Sequence, residues 1–524
     1  MRSSIRARRD IQRRTSLLVR ALPRPRLLAL AVGTAFAAST SPLLANPTGA
    51  SVAAGGATFS VSGNTLTVTN TPGAIINWQQ FSIQRDEITR FLQQNASSAV
   101  LNRVTGQDPT VILGQLFSNG RVFLINPSGI AFGQGAQINV AGLTASTLNI
   151  SDADFISGRL RFAGTGAEGK LTNAGAITTS PGGSVYLIAP QVENQASGVI
   201  TSPKGEVLIA AGRTVELVNA QTPDLRVEYT APDNQAMNAG QIVASSGSVG
   251  IYGTLIRNSG LVSASRAEVG DGGRIVFKAT QDVTLDPTSR LEATGDKGGE
   301  IKVQAEGGTL LADGAVEAKG ENSSGGSIQL LGNQVGLVGA ASVDASGDQG
   351  GGSVLVGGDF HGANPDVQNA SRTYIGKDVA IKADAIAQGD GGKVVAWADG
   401  DTRFYGSINA RGGSLQGDGG FVEVSGKESL LYRGYVDTRA LNGAKGTLLL
   451  DPSSITITTG SAYTGSTGSL LTFPSNLTGT GDNIWAAGED PGAGSIGADD
   501  VTAILGGTSL TLQASTGIVA NPGV

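Results

Sequence analysis

Gly272-Gly273-Arg274-Ile275-Val276-Phe277-Lys278-Ala279 is followed, twenty-six residues on, by Gly298-Gly299-Glu300-Ile301-Lys302-Val303-Gln304-Ala305. The same text returns as GGSIQLLG at 325–332, GGSVLVGG at 351–358, GGKVVAWA at 391–398 and GGFVEVSG at 419–426, with an earlier copy, GGSVYLI, at 182–188. Steps between the last six copies are 26, 27, 26, 40 and 28 residues. The step of 40 holds an insertion around His361, which predicts a loop on one face. Behind each Gly pair apolar and polar residues alternate, the two-residue period of a strand with one buried face. Two weaker strands follow each copy, such as GTLLADG and AVEAKG after the copy at 298. About three short strands per repeat of 20–30 residues is the signature of a parallel β-helix. Propeller blades would need longer repeats of four hairpin-linked strands. In this reading Gly gives the corners their positive-φ conformations. Asn173, Asn194, Asn219 and Asn258 sit at corners as the non-Gly residue that best tolerates the same geometry.

Composition points the same way. The chain has 524 residues and 78 Gly, about twice the usual share of roughly 7%. One compact core does not suit that length, whereas a solenoid grows by nearest-neighbour stacking. With no Cys and a single His, disulfide frameworks, thiolate metal sites and Cys nucleophiles are excluded. Any His-based triad must use His361.

Residues 1–26 carry nine Arg, an apolar run follows at 27–38, and the polar stretch STSPLLA ends at Ala45. This is the order of a signal peptide, with cleavage expected between Ala45 and Asn46 and with export machinery and signal peptidase as partners. Removing 1–45, which holds nine Arg and one Asp, takes the formal charge from −6 to −14. An acidic mature chain argues against nucleic acid as a partner.

From 46 the text reads as short strands (ATFSVSGNTLTVTN, AIINWQQFSI), with one helical turn expected within 86–104. Most Phe residues precede 165, as an aromatic cap would need. Several segments then recur in order: INWQQFSI at 76–83, FLQQ at 91–94, SAVLNRV at 98–104, ILGQL at 112–116, GRVFLINPSGI at 120–130 and GLTAST at 142–147. Together they resemble the haemagglutination-activity, or two-partner-secretion, domain of filamentous haemagglutinin-like and high-molecular-weight adhesins. The resemblance is densest over 46–165 and extends through the repeats to about 290. It implies a right-handed parallel β-helix with an N-terminal β cap, all-β throughout. It also implies a cognate outer-membrane β-barrel transporter whose periplasmic domains recognise the exported chain. The chain would cross that pore unfolded and fold outside, released or displayed as an adhesin against a host or bacterial surface receptor. The family turn reads Asn-Pro-Asn-Gly, whereas this chain has Asn126-Pro127-Ser128-Gly129 before Ile130. Since Ser also hydrogen-bonds locally in turns, the turn should survive.

The expected organisation is therefore a signal peptide at 1–45, a secretion-domain core and cap at 46–165, and Gly-rich coils at 166–450. A Ser/Thr/Gly-rich linker follows at 451–495, and a further β segment begins at 496–524 and stops mid-pattern.

Catalytic chemistry finds little support. Asp384, Asp390, Asp399 and Asp401, with Arg403 near in sequence, read as solvated loop residues. The Gly-Asp-Gly-Gly copies at 270, 389 and 417 lack the nonapeptide spacing of calcium-binding repeats and read as turns. His361 reads as an exposed loop residue. Sequons at Asn95, Asn149, Asn322, Asn369 and Asn476 are frequent enough by chance in a Ser- and Asn-rich chain. No cofactor, metal or catalytic residue is assigned. Three alternatives stay open: a haem-acquisition exoprotein, a carrier of a contact-dependent toxin beyond residue 524, and a polysaccharide-active β-helix enzyme.

Overall fold

The computed structural model describes residues 46–217, 225–228, 234–266, 270–458 and 495–521. The signal segment with Ala45, and also Asn219, Asn476 and 459–494 of the expected linker, lie outside them.

Each repeat is one coil of three strands, and each strand pairs in parallel with its equivalent in the next coil. One column runs Ile275, Ile301, Ile328, Val354, Val394, Val422, Leu448. A second runs Leu291, Val316, Val343, Ile381, Ile408, Val436. All of these side chains are buried, each stabilising by roughly 1.5–3 kcal/mol relative to exposure. A third column, Val335 to Thr373 to Thr402 to Leu430, takes two Thr into the core. Both hydroxyls donate to carbonyls, Thr373 to Trp397 at 2.6 Å and Thr402 to Ser425 at 2.8 Å. Like therefore stacks on like, and each coil supplies the partner its neighbour needs. The fifteen-stranded face, at about 4.8 Å per strand, is on the order of 70 Å long.

Positive φ falls on Gly182 and on glycines that precede later pairs, Gly270, Gly350, Gly389 and Gly417, as expected of corners. The second Gly of the later pairs acts differently, since Gly273, Gly299, Gly326 and Gly352 have no positive φ. They form a column in which a methyl on each would strike the carbonyl oxygen of the glycine one coil below. What the corner needs there is close backbone approach. The corner asparagines are corrected too. Asn173, Asn194 and Asn258 have no positive φ. They are fully buried and, joined by Asn238, form an internal amide ladder. Asn173 Nδ2 donates to Asn194 Oδ1 at 2.9 Å, Asn194 to Asn238 at 2.8 Å and Asn238 to Asn258 at 2.7 Å. Asn258 Nδ2 ends the ladder on Ser289 Oγ at 2.5 Å.

At the N-terminal end the pairing turns antiparallel. Ser51–Ala54 pairs with Ala74–Trp78, and Ala57–Ser62 with Thr65–Asn70. Trp78, Phe81 and Phe91 are buried there and the exposed Phe59 packs against Trp78, successive ring centroids lying 5.6–6.5 Å apart. Trp78 Nε1 donates to Asn102 Oδ1 at 3.0 Å, giving the buried indole its acceptor.

The stretch 86–104 holds the strands Ile88–Leu92 and Ala99–Val104, with no helical turn. One helix lies instead at Asp152–Ser157, capped by Ser151 and ended by Gly158 in the left-handed region, and a second, Ala498–Gly507, lies within the stretch expected to be purely β. Ser151 Oγ accepts the Asp154 N–H at 3.0 Å, so the sequence carried the signal as a Ser N-cap. The Asp152–Ser157 helix and a four-stranded antiparallel sheet (Asn149–Ile150, Leu160–Ala163, Thr214–Leu217, Leu225–Glu228) lie outside the coils. They share a second apolar cluster with Ile75, Leu101, Phe123 and Ile188. That extra layer explains why Arg121–Ile125 is buried on both faces.

Past residue 450, Ser454–Thr458 forms a strand inside the stretch expected to be a linker. Ser509–Leu512 pairs with Thr447–Leu450, and Gly517–Ala520 pairs with Ser454–Thr458.

Candidate recognition site

Asn126 ends the doubly buried strand Arg121–Ile125, and its side chain turns inward, fully buried. Its Nδ2 donates to the Asp108 carbonyl and to Thr110 Oγ1, both at 3.0 Å. Its Oδ1 accepts the Ser128 backbone N–H at 2.9 Å. The local side-chain bond expected of Ser128 is therefore made by Asn126, and position 128 contributes its backbone. This accounts for the departure from the family turn: Ser or Asn offers the same N–H there. Gly129 has φ 124°, a region L side chains avoid. Its carbonyl accepts from Thr110 N at 3.0 Å. Ile130 then enters the core between Thr110 and Leu171 of adjacent coils.

The next coil presses against this turn. Gly169 N donates to the Pro127 carbonyl at 2.8 Å, and Ile130 N to the Lys170 carbonyl at 3.1 Å. A β-carbon on Gly169 would collide with the Ser128 carbonyl. Pro127 is exposed and Ser128 half-exposed, so the turn offers solvent a small face on a rigid base. Beside it Glu168, Lys170, Arg213 and Gln191 line a pocket of about 180 Å³. Burial works to raise the Glu168 carboxyl, but hydrogen bonds from Thr165 and Gly166 outweigh it and hold it below the usual value.

The remaining candidates do not converge. His361 is no free loop residue: its side chain is 30% exposed, with Nδ1 2.9 Å from Asp451 Oδ2. Its backbone N donates to Glu423 Oε2 at 3.2 Å. The insertion around it packs through Val367 onto Leu331, Leu355, Val395 and Trp397. Asp384 is buried rather than solvated, and Arg411 holds it through Nε at 3.2 Å and a second guanidinium nitrogen at 2.9 Å. Asp399 accepts from Asn369 and from Trp397 Nε1, each at 3.1 Å. Asp401 faces Arg372 at 3.9 Å. Asp390 accepts the Asp418 N–H at 2.7 Å, and Asp418 in turn accepts that of Ala444 at 2.8 Å. Those Gly-Asp-Gly-Gly turns thus tie one coil to the next. Among the described residues no group of three or more His, Asp or Glu is arranged to hold a metal. Nothing in the sequence pointed to Glu423 and Asp451 as partners of His361, because they come from coils 62 and 90 residues further on.

Residues 44–303 match the TPS secretion domain family. The crystal structure of the HMW1 secretion domain from Haemophilus influenzae is 33% identical and covers 76% of this chain and all of that one, with a TM-score of 0.59. The chain belongs to the two-partner-secretion exoprotein family. Two curated relatives carry the name heme/hemopexin-binding protein, both from Haemophilus influenzae. One is 44% identical over 105 residues, 20% of this chain and 12% of that protein. The other is 43% identical over 77 residues, 15% of this chain and 8% of that protein. The matches thus span about a tenth of the length of these relatives. For a two-partner-secretion chain, Asn126 stands out as the family-turn residue whose side chain is spent wholly on the interior.

Proposed function

We propose that residues 46 to about 290 address this exoprotein to a cognate outer-membrane β-barrel transporter, through periplasmic recognition domains of that partner. The stacked coils beyond them are carried out through the pore and released or displayed as an adhesive shaft, without enzymatic activity. One observation carries the reading: a rigid turn, Asn126 to Ile130, with its anchoring amide buried and Pro127 and Ser128 turned to solvent, in a Cys-free chain. Coil-to-coil pairing with the nearest neighbour supports folding as the chain emerges, since each coil needs only the one before it. The test is export. The chain is expressed with an adjacent β-barrel transporter gene intact or deleted, and medium is compared with periplasm. Protein in the medium only with the transporter supports the proposal. Equal release without it rejects the transporter as partner.

The names of the two curated relatives favour haem acquisition as a second reading. His361 is the sole imidazole, and its Nδ1 already faces Asp451. A haem titration of the parent and of His361→Ala decides: a Soret shift in the parent that is lost in the variant supports haem ligation here, and no shift in either rejects it.

A further inference from the structure

Asn46 is only 8% exposed and sits in the left-handed region at φ 56°. Its side chain is built in: Nδ2 donates to the Asn64 carbonyl at 3.1 Å, and Oδ1 accepts from Thr89 Oγ1 at 3.1 Å. Its backbone nitrogen lies 2.9 Å from Glu87 Oε2. Glu87 is itself 8% exposed, and the same oxygen accepts the Gln84 N–H at 2.8 Å. No ion pair among the described residues uses Glu87, the first along the chain being Arg103 with Asp152 and Arg159 with Asp154. A buried carboxylate normally has a cation as well as hydrogen-bond donors. Here two amides converge on one oxygen, and one of them belongs to the residue that follows the expected cleavage site.

We infer that Glu87 is the receptor for the α-ammonium of the mature chain. Hydrolysis of the Ala45–Asn46 bond gives the water hydroxyl to the Ala45 carbonyl carbon and the proton to the Asn46 nitrogen. That amine takes a further proton from solvent at neutral pH. The hydrogen bond already in place becomes charge-assisted, which roughly doubles its strength. The antiparallel cap over the first coil thus gains its ion pair only once the signal peptide is gone, so processing and completion of the fold are linked. Position 46 suits this use, because Asn tolerates positive φ and its amide holds the nitrogen in place from both sides.

The inference rests on cleavage after Ala45, so the first step is the N-terminal mass of the exported protein. A first residue other than Asn46 overturns it at that point. With Asn46 first, four chains are compared: residues 46–524 beginning at Asn46 or at a retained Ala45, each with Glu87 or with the Glu87→Gln substitution. The amide of Glu87→Gln keeps an acceptor, so the comparison isolates charge. Reductive methylation of the α-amine should run about tenfold slower in the parent than in the Glu87→Gln chain. Retaining Ala45 should shift the urea midpoint downward in the parent background and leave the Glu87→Gln background nearly unchanged, a coupling read by the double-mutant cycle. Equal methylation rates with equal midpoint shifts would show Glu87 to be an ordinary amide acceptor.

Discussion

Asn194 and Asn238 lie forty-four residues apart, and their buried amides meet at 2.8 Å. Replacing Asn194 by Ala leaves Asn173 Nδ2 without its Oδ1 acceptor and Asn238 Oδ1 without its donor. Replacing Asn173 orphans the Asn194 Oδ1 within the ladder and the Gly175 N–H beside it. At roughly 1–3 kcal/mol for each orphaned buried group, Asn194→Ala and Asn173→Ala, with two such groups apiece, should each cost about 2–6 kcal/mol. Urea midpoints of the two variants check this. Costs below about 1 kcal/mol in both would mean that the ladder contributes nothing beyond packing.

The glycine column yields a contrast between two kinds of glycine. Gly135 has φ 91° and open space around its missing β-carbon, so Gly135→Ala should cost about 1 kcal/mol of backbone strain. Gly326 has no positive φ, yet a methyl there would meet the Gly299 carbonyl. Because backbone on both sides cannot yield, Gly326→Ala should cost about 3 kcal/mol or more. Thermal unfolding of the two variants ranks them, and the reverse order would restore positive φ as the reason for the Gly pairs.

These residues also mark how far the sequence could be read. Period and alternation at 272–305 reveal strands, stacking and the inward column from Ile275 to Leu448, because those depend only on side-chain order. The same pairs of Gly look alike whether they serve φ or close approach, and that difference exists only between coils. Asn238 escaped notice because its ladder partners are set by stacking register. The outer layer was hidden for a related reason: Phe123 and Ile125 read as one more apolar strand, with nothing local to say that both faces are covered. At the turn from Asn126 to Ile130, position and residue types were legible, whereas the inward aim of the Asn126 amide was not.

Glu423 gives a pH dependence with a definite sign. Burial pushes its carboxyl above the usual value near 4.5, against the opposing effect of the His361 N–H and imidazole. A folded state that holds its proton more tightly than the unfolded chain is favoured at low pH. The contribution is therefore complete below about pH 4.5 and is lost as pH rises through the higher folded value. Glu423→Gln stays neutral throughout. It should match the parent near pH 4 and equal or exceed its stability at pH 7, measured as urea midpoints across that range. A variant less stable than the parent at pH 7 would show that the ionised carboxylate is needed by His361.

The turn at 126–130 separates folding from recognition through three substitutions. Asn126→Ala removes the acceptor of the Ser128 N–H and the donor to Asp108 and Thr110. It should cost about 3 kcal/mol and lower secretion along with stability, since the turn itself collapses. Ser128→Asn restores the family residue at a position that contributes only its backbone, so both stability (within about 0.5 kcal/mol) and secretion should hold. Ser128→Arg keeps the same backbone bonds and places a long cation on the half-exposed face beside Lys170 and Arg213. Its unfolding midpoint should stay close to the parent's while the secreted fraction falls, because only a partner pressed against that face would sense the added charge. Secretion at the parent's level by a well-folded Ser128→Arg chain would make the turn a structural corner and move the search for the transporter contact elsewhere on 46–290.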